Sequence, residues 1–354
     1  MNTPDFCESE AHLSDEEQSD VPITTADKSA SREMKWDSLL NFTPETDTGC
    51  LMGNRYLGRS GGMVIVAPSG VGKSVLSMHL GACAALGMPF FGVRMSSPMR
   101  VLYVQAEDDL GDVAEAAQGF VKESALSDRD IAALKARMRI VRWNDASGGV
   151  FLLRLKAELR AQSYDLVIIN PLFSFAGCNV SDQEAMSGFL RNGLNPILND
   201  TQAACVIVHH TNKPKEDDKA RTDSDSSYLG SGSAELTNWA RAYVTLQQAK
   251  SAGTYAYKLL FAKRGRRAGL VDDDGRPTTS VLIEHSPSAL YWKKSDASAT
   301  AADGKFKAKF DLPRARQYYD PELPWSQNEK VIAADQGVST RTVRNHQRTL
   351  EREN

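Results

Sequence analysis

The eight residues Ala67-Pro68-Ser69-Gly70-Val71-Gly72-Lys73-Ser74 have the types and order needed to hold phosphate. Glycine tolerates positive φ, so at positions 70 and 72 successive backbone N–H groups can turn inward and line a nest around an anion. Val75 opens the helical pattern Val75-Leu76-Ser77-Met78-His79-Leu80, and a helix N-terminus adds its dipole to the same anion. Lys73 supplies a point charge for phosphate oxygens, and Ser74 a hydroxyl for Mg²⁺. The apolar run Met63-Val64-Ile65-Val66 supplies the strand that such a loop follows. A nucleotide is therefore expected against Ala67 to Val75. Ala67 stands where the motif usually has glycine, at a position outside the tight turn.

Cleaving a triphosphate also needs a base and a metal. Val101-Leu102-Tyr103-Val104-Gln105 reads as a strand that opens into Ala106-Glu107-Asp108-Asp109, and ligands of open α/β sheets gather at such carboxyl ends. Glu107 is the candidate for the base that orients and deprotonates the attacking water. The alternative is an acidic helix cap, a role open to Asp108 or Asp109. A second strand, Leu166-Val167-Ile168-Ile169, should end in the metal-associated carboxylate of a Walker B segment, but it ends in Asn170. An amide can bond a metal-bound water yet brings no charge, so weaker Mg²⁺ binding or slower turnover is expected. Asp165 begins that strand and belongs at the opposite edge. A third strand ends in Val208-His209-His210-Thr211-Asn212-Lys213, where polar groups are placed to sense the terminal phosphate. Adjacent strand residues face opposite ways, which argues against one metal between the two histidines.

The elements that position these groups alternate. Strands at 64, 101, 140, 166 and 204 are separated by helical patterns, including Asp112 to Glu123, Phe151 to Ala161 and Asp182 to Leu198. Near-continuous apolar strands between amphipathic helices imply a mostly parallel sheet covered on both faces. Ala242-Tyr243-Val244-Thr245-Leu246, Tyr255 to Phe261, Ser280 to Ile283 and Leu290 to Trp292 follow with short turns, and read as an antiparallel extension.

The formal charge of the 354 residues is −3. Residues 1 to 35 carry nine Asp/Glu against Lys28, Arg32 and Lys35, so a net of −6 sits there and +3 on the rest. A mildly basic body fits a nucleic-acid partner without demanding one. Residues 1–34 lack the apolar content to order themselves and read as a disordered acidic tail. Residues 35–295 then form the α/β domain, 296–320 a linker and 321–354 a small helical module. The five cysteines form no C-x-x-C pair, and there is neither a secretory leader nor an apolar run of bilayer length. A cytoplasmic protein with no membrane contact is expected.

In that last module, Ser326-Gln327-Asn328-Glu329 reads as a capping box and Ser339 as the cap of a second helix, a pattern similar to a helix-turn-helix. Arg341, Arg344, Arg348 and Arg352 then stack on one face and suit contact with double-stranded DNA; a solvated basic face or a subunit contact are the other readings.

The phosphate loop, Glu107-Asp108, the Ile-Ile-Asn-Pro-Leu strand, His-His-Thr-Asn-Lys and Gly230-Ser231-Gly232-Ser233-Ala234-Glu235-Leu236-Thr237-Asn238-Trp239-Ala240-Arg241 occur in the order seen in RecA-fold ATPases. Over roughly residues 40 to 295 the chain resembles RepA-type hexameric replicative DNA helicases. The resemblance implies a homo-oligomeric ring, ATP and Mg²⁺ at each subunit interface, and single-stranded DNA in the channel. It implies phosphate and Mg²⁺ binding by Lys73 and Ser74, catalysis by Glu107 and coupling by His209 or His210, with His210 preferred. Lys263 and Arg264, in Lys263-Arg264-Gly265-Arg266-Arg267, look like basic fingers for a neighbour's nucleotide, with Arg266 and Arg241 in reserve; the alternative is a solvated turn. Lys213, Lys215, Lys219 and Arg221 follow the sensor strand, where related rings place channel loops that touch DNA. Asn170 departs from the usual aspartate. Two rivals to a ring helicase stay open: a filament-forming recombination ATPase, and a nucleotide-switched DNA-binding regulator.

Overall fold

Met63, Ile65 and Ala67 pack on one face of their strand and Val64 and Val66 on the other, all of them buried. Such a run suits a sheet covered on both faces. The computed structural model of the chain contains one, and describes residues 34–210, 234–251 and 254–295 together with 315, 318–321, 323–336, 340–344, 347 and 350. The acidic tail, the loop bearing Lys213, Lys215, Lys219 and Arg221, most of the linker, Ser339, Arg348 and Arg352 lie outside the described residues.

The strands are β1 (Cys50–Met52), β2 (Leu57–Gly58), β3 (Gly62–Ala67), β4 (Val101–Gln105), β5 (Met138–Arg142), β6 (Leu166–Asn170), β7 (Ala204–His210), β8 (Ala242–Ser251), β9 (Thr254–Lys263), β10 (Leu270–Val271), β11 (Pro277–Thr278), β12 (Ser280–His285) and β13 (Trp292–Lys294). Among the described residues nine of them form one sheet in the order β13-β12-β9-β8-β3-β7-β6-β4-β5. β8, β3, β7, β6, β4 and β5 are parallel, and β9, β12 and β13 continue antiparallel. The expected extension is present, with one correction: β8 runs parallel to β3 and turns back only into β9.

A short helix, α1 (Trp36–Leu40), lies in a compact unit ending at Asp47, and the rest of the described chain forms the second unit. In that second unit α2 (Lys73–Leu86), α3 (Leu110–Glu123) and α4 (Asp128–Arg137) cover one sheet face through Leu76, Leu80, Phe120 and Leu134. The other face is covered by α5 (Gly148–Ala161), α6 (Leu172–Ala176), α7 (Gln183–Ser187), α8 (Asn195–Thr201) and α9 (Ala234–Trp239), through Phe151, Leu155, Phe175, Ile197 and Leu236. The helix expected from Asp182 to Leu198 is three pieces, because Gly188–Leu194 winds as a π-helix before α8. Pro196 has no N–H to continue the α ladder, and the wider turn absorbs the break.

Near the C-terminus α10 (Trp325–Gln336) and α11 (Thr340–Arg344) pack through Ile332, Ala333 and Val343. The capping-box reading is corrected. The helix begins at Trp325, so Ser326 lies inside its first turn. The Glu329 carboxylate instead accepts two bonds from the Arg344 guanidinium, at 2.9 and 2.7 Å. Arg344, expected on a basic face, thus spends its fork within the module, although its side chain stays 60% exposed.

His79 of α2 is buried in an aromatic cage, stacked on Tyr291 at 4.7 Å and flanked by Phe90, Phe91 and Phe120. Its buried Nδ1 has no hydrogen-bond partner among the described residues, and burial pushes its pKa down to about 4. The native state therefore favours neutral imidazole. As pH falls from about 6.5 to 4 the unfolded chain takes up the proton first, and most of about 3 kcal/mol of stability is lost. Denaturant unfolding at pH 7 and pH 4.5 should show that loss, and His79→Phe should remove it; equal acid sensitivity in both proteins would exclude His79 as the cause.

Candidate nucleotide site

Register brings the chemistry together. Ala67 pairs with His210, and Gln105 with Asn170, so four strand ends line one edge of the sheet. Ala67 ends β3 in an ordinary ladder position, which is why glycine is not required there. Gly70 and Gly72 take φ of +80° and +86°, and Gly72 is the residue from which α2 starts. Lys73 is 7% exposed, and its Nζ donates to the Pro68 carbonyl at 2.9 Å. Burial pushes its pKa down to about 8, against an opposing contribution from the Glu107 charge. An ammonium so poorly solvated gains more from an added polyphosphate than a surface lysine would.

The opposite wall is the turn after β4. Gln105 is buried, and its amide clamps Asp108 on both sides: Nε2 donates to the Asp108 carbonyl and Oε1 accepts from the Asp108 N–H, each at 2.9 Å. Asp109 takes the cap of α3 in a reciprocal capping box with Asp112. The helix-cap alternative is thus filled by Asp109, and Glu107 and Asp108 are left to face the loop. Glu107 is exposed, accepts a bond from Ser174 Oγ at 3.3 Å, and acts electrostatically on both Lys73 and His210. His210 is half-buried; burial foremost, then the Lys73 charge, lowers its pKa, and Glu107 opposes. His209 is 2% exposed, inside the sheet. Of the pair, only His210 stands at the phosphate loop.

Asn170 is buried, and its Nδ2 donates to Ser74 Oγ at 3.1 Å and to the Tyr103 hydroxyl at 3.0 Å. Tyr103 in turn shares a 2.9 Å bond with Ser77. The Asp108 carboxylate has its pKa raised by burial foremost and then by Asp112 and Glu107, with the Ser74 side chain and Arg142 opposing. Hydroxyl and carboxylate oxygens are hard donors that fit Mg²⁺, which needs only one or two protein ligands when phosphates supply others.

Sequence reasoning did not anticipate the far end of the chain here. The Trp292 indole donates to the Gly72 carbonyl at 3.1 Å, and His285 lies against Trp292 with ring centroids 3.7 Å apart. A Cβ at Gly72 would fall 2.9 Å from His285, so glycine is needed there for space as well as for φ. Two aromatic residues more than 200 positions downstream leave no local signal that could have announced this contact.

Lys263 and Arg264 lie elsewhere. Lys263 pairs with Tyr243 on β8, and Tyr243 with Val64 on β3, so the segment sits at the edge where β3 begins, about 10 Å of strand before the phosphate loop starts. There a cleft of about 510 Å³ is lined by Arg191, Asn195, Arg241, Lys263 and Arg264 among others. Lys263 Nζ is held by the Thr237 carbonyl at 2.9 Å. Arg264 feels burial first, then the charges of Arg267, Arg241 and Arg55. This is a concentration of positive charge, with Lys263 and Arg264 half-buried and Arg266 and Arg267 exposed on the turn.

A family profile described as "AAA domain" matches residues 26–216, more than half of the chain. The chain belongs to the AAA domain family. Its phosphate loop lies at the end of a strand of a mostly parallel sheet, directly before α2. No curated protein matches it by sequence. Among solved structures it is similar to one titled "The Structure Of A DnaB-Like Replicative Helicase And Its Interactions With Primase", at 12% identity and a TM-score of 0.44, over 66% of this chain. The chain spans 58% of the length of that structure. Among the described residues no helix of this AAA domain protein is long and apolar enough to cross a membrane.

The Trp292 contact gives a direct test. Trp292→Phe keeps most of the packing and removes one bond of about 1 kcal/mol, so ADP affinity measured by calorimetry should weaken about fivefold with the melting temperature nearly unchanged. An unchanged affinity would mean that the indole does not help hold the loop.

Proposed function

We propose that this protein is an ATP-hydrolysing motor that works on single-stranded DNA as a ring of identical subunits. Glu107 is the base, Ser74 and its neighbours hold Mg²⁺, His210 reports the state of the terminal phosphate, and Arg264 with Lys263 acts on the nucleotide of an adjacent subunit. The observation that carries the reading is the separation of the cationic cleft from the chain's own phosphate loop. Lys263 and Arg264 are at the starting edge of the parallel strands, the phosphate loop at the finishing edge. Neither side chain can span that distance, so a role on phosphate requires a second copy. Leu110 and Phe173, next to Asp109 and Ser174, are 85% and 67% exposed, as suits the acidic side of such an interface.

One observation favours a second reading. The amide of Asn170 in place of a carboxylate suits a slow nucleotide switch that regulates DNA binding. ATP turnover measured with and without single-stranded DNA separates the two: a motor is stimulated, a switch is not. Strand displacement on a forked substrate then separates a helicase from a filament-forming recombinase. Lys213, Lys215, Lys219 and Arg221 remain the proposed channel contacts, and the C-terminal module a proposed contact to duplex DNA.

Glu107→Gln keeps the shape but cannot accept a proton, so it should retain ATP and lose turnover by about 10² to 10⁴-fold. Normal turnover in that variant would pass the role to another group. Arg264→Ala should bind ATP within about twofold of wild type and lose on the order of 10³-fold in turnover. Mixed with Lys73→Ala it should regain part of the activity, because a mixed interface pairs an intact loop with an intact finger. If mixed oligomers form and no activity returns, the finger does not act across subunits.

A further inference from the structure

The Walker B position ends in an amide, yet a carboxylate still feels the Ser74 side chain. Asn170 presents its donor side, since the same Nδ2 serves both Ser74 Oγ and the Tyr103 hydroxyl. A donor nitrogen cannot coordinate a cation. With its oxygen receiving the Asn170 bond, Ser74 keeps its own proton for an acceptor, and the Asp108 carboxylate, whose pKa Ser74 lowers, is a charged group that it acts on. That leaves a Ser74 lone pair free for a metal.

Asp108 is held in place and is not used as the cap of α3. Gln105 fixes its backbone from both sides, and the capping box of Asp109 with Asp112 makes it unnecessary to the helix. Glu107 and Asp112 act on it as like charges, with Arg142 the opposing cation. A divalent cation relieves this crowding and needs few protein ligands beside phosphate oxygens.

Resting on the ATPase reading above, we propose that Asp108, at the end of β4, supplies the carboxylate for the divalent cation of the bound nucleotide, and that Asn170 is a positioning residue which orients the Ser74 hydroxyl toward it. The metal-side charge has moved one strand across the sheet, from the end of β6 to the turn beyond β4. Asn170 is then not a lesion: an aspartate there would crowd a third carboxylate against Asp108 and Glu107 and would remove the donor that serves Ser74 and Tyr103.

Mn²⁺ with ADP tests this on the full-length protein without relying on turnover. Mn²⁺ bound to the ADP complex is counted by electron paramagnetic resonance, and metal-free ADP affinity is measured by calorimetry. Asp108→Asn should weaken Mn²⁺ binding to the complex on the order of tenfold or more, with metal-free ADP affinity within about twofold. Asp108→Asn with Asn170→Asp should recover part of the loss, because a carboxylate returns to the same hydroxyl from the other strand. Metal-free ADP affinity within about twofold of wild type in Asp108→Asn shows that the single variant is folded. Mn²⁺ affinity unchanged in Asp108→Asn overturns the proposal and leaves the ATPase reading standing. So does a single Asn170→Asp variant that tightens Mn²⁺ on the order of tenfold while Asp108→Asn has no effect. A wild-type protein that binds no ADP, with or without Mn²⁺, overturns both.

Discussion

A slip of one residue between β4 and β6 would turn every side chain of one strand to the opposite face of the sheet. Tyr103 and Asn170 would then no longer meet, and the Ser74 hydroxyl would lose its donor. The pairing that prevents this runs from Val101 with Leu166 to Gln105 with Asn170, and the next pair of strands carries it from Leu166 with Ala204 to Ile169 with Ile207. Alternation enforces it: Tyr103 and Ile168 belong to the core under α2, while Leu102 and Val167 belong to the core under α5. Both faces are buried, so a slip would exchange two complete hydrophobic sets at once. The catalytic edge inherits its accuracy from that packing.

Tyr103, Asn170 and Ser74 stay in place at this edge because they bond one another. The Tyr103 hydroxyl is fully buried and joined to both Ser77 and Asn170, and Asn170 in turn reaches Ser74. Leaving a single member unpaired would cost about 1 to 3 kcal/mol, comparable to a sizeable part of a domain's net stability. The network thus fixes the start of α2 and the ends of β4 and β6 relative to one another. Trp292 adds a fourth point, since its bond to Gly72 ties the last strand of the sheet to the phosphate loop.

How far the sequence alone reaches follows from the range of each signal. The phosphate loop is legible because strand, turn and helix are contiguous, and positive φ at Gly70 and Gly72 is what glycine is for. The apolar strands are legible because burial on both faces writes a continuous run. The direction of β8 is not, since a strand that pairs in parallel on one side and antiparallel on the other has the same apolar pattern as one that pairs antiparallel on both. The capping box at Ser326 fails for another reason: Glu329 had a better partner in Arg344, fifteen residues on, and a tertiary ion pair outcompeted a local bond. Asp108 was visible only as one of three acids, and the structure sets it apart from Asp109, which takes the cap.

The two edges of the parallel strands differ in charge, and that difference constrains how copies of this chain can meet. At the finishing edge Glu107 acts on Lys73, and Asp108, Asp109 and Asp112 stand in the turn and helix start that follow β4; at the starting edge the charges of Arg55, Arg241 and Arg267 act on Arg264. A two-fold contact centred on either edge would set cation against cation or carboxylate against carboxylate. Complementary charge is gained when one edge meets the other, as a head-to-tail contact does. Such contacts repeat, and close into a ring when the rotation between neighbours divides a full turn, or run on as a filament when it does not. The ring helicase and the recombination-type filament therefore share one interface chemistry, and the angle between adjacent subunits, not the residues of the nucleotide site, distinguishes them.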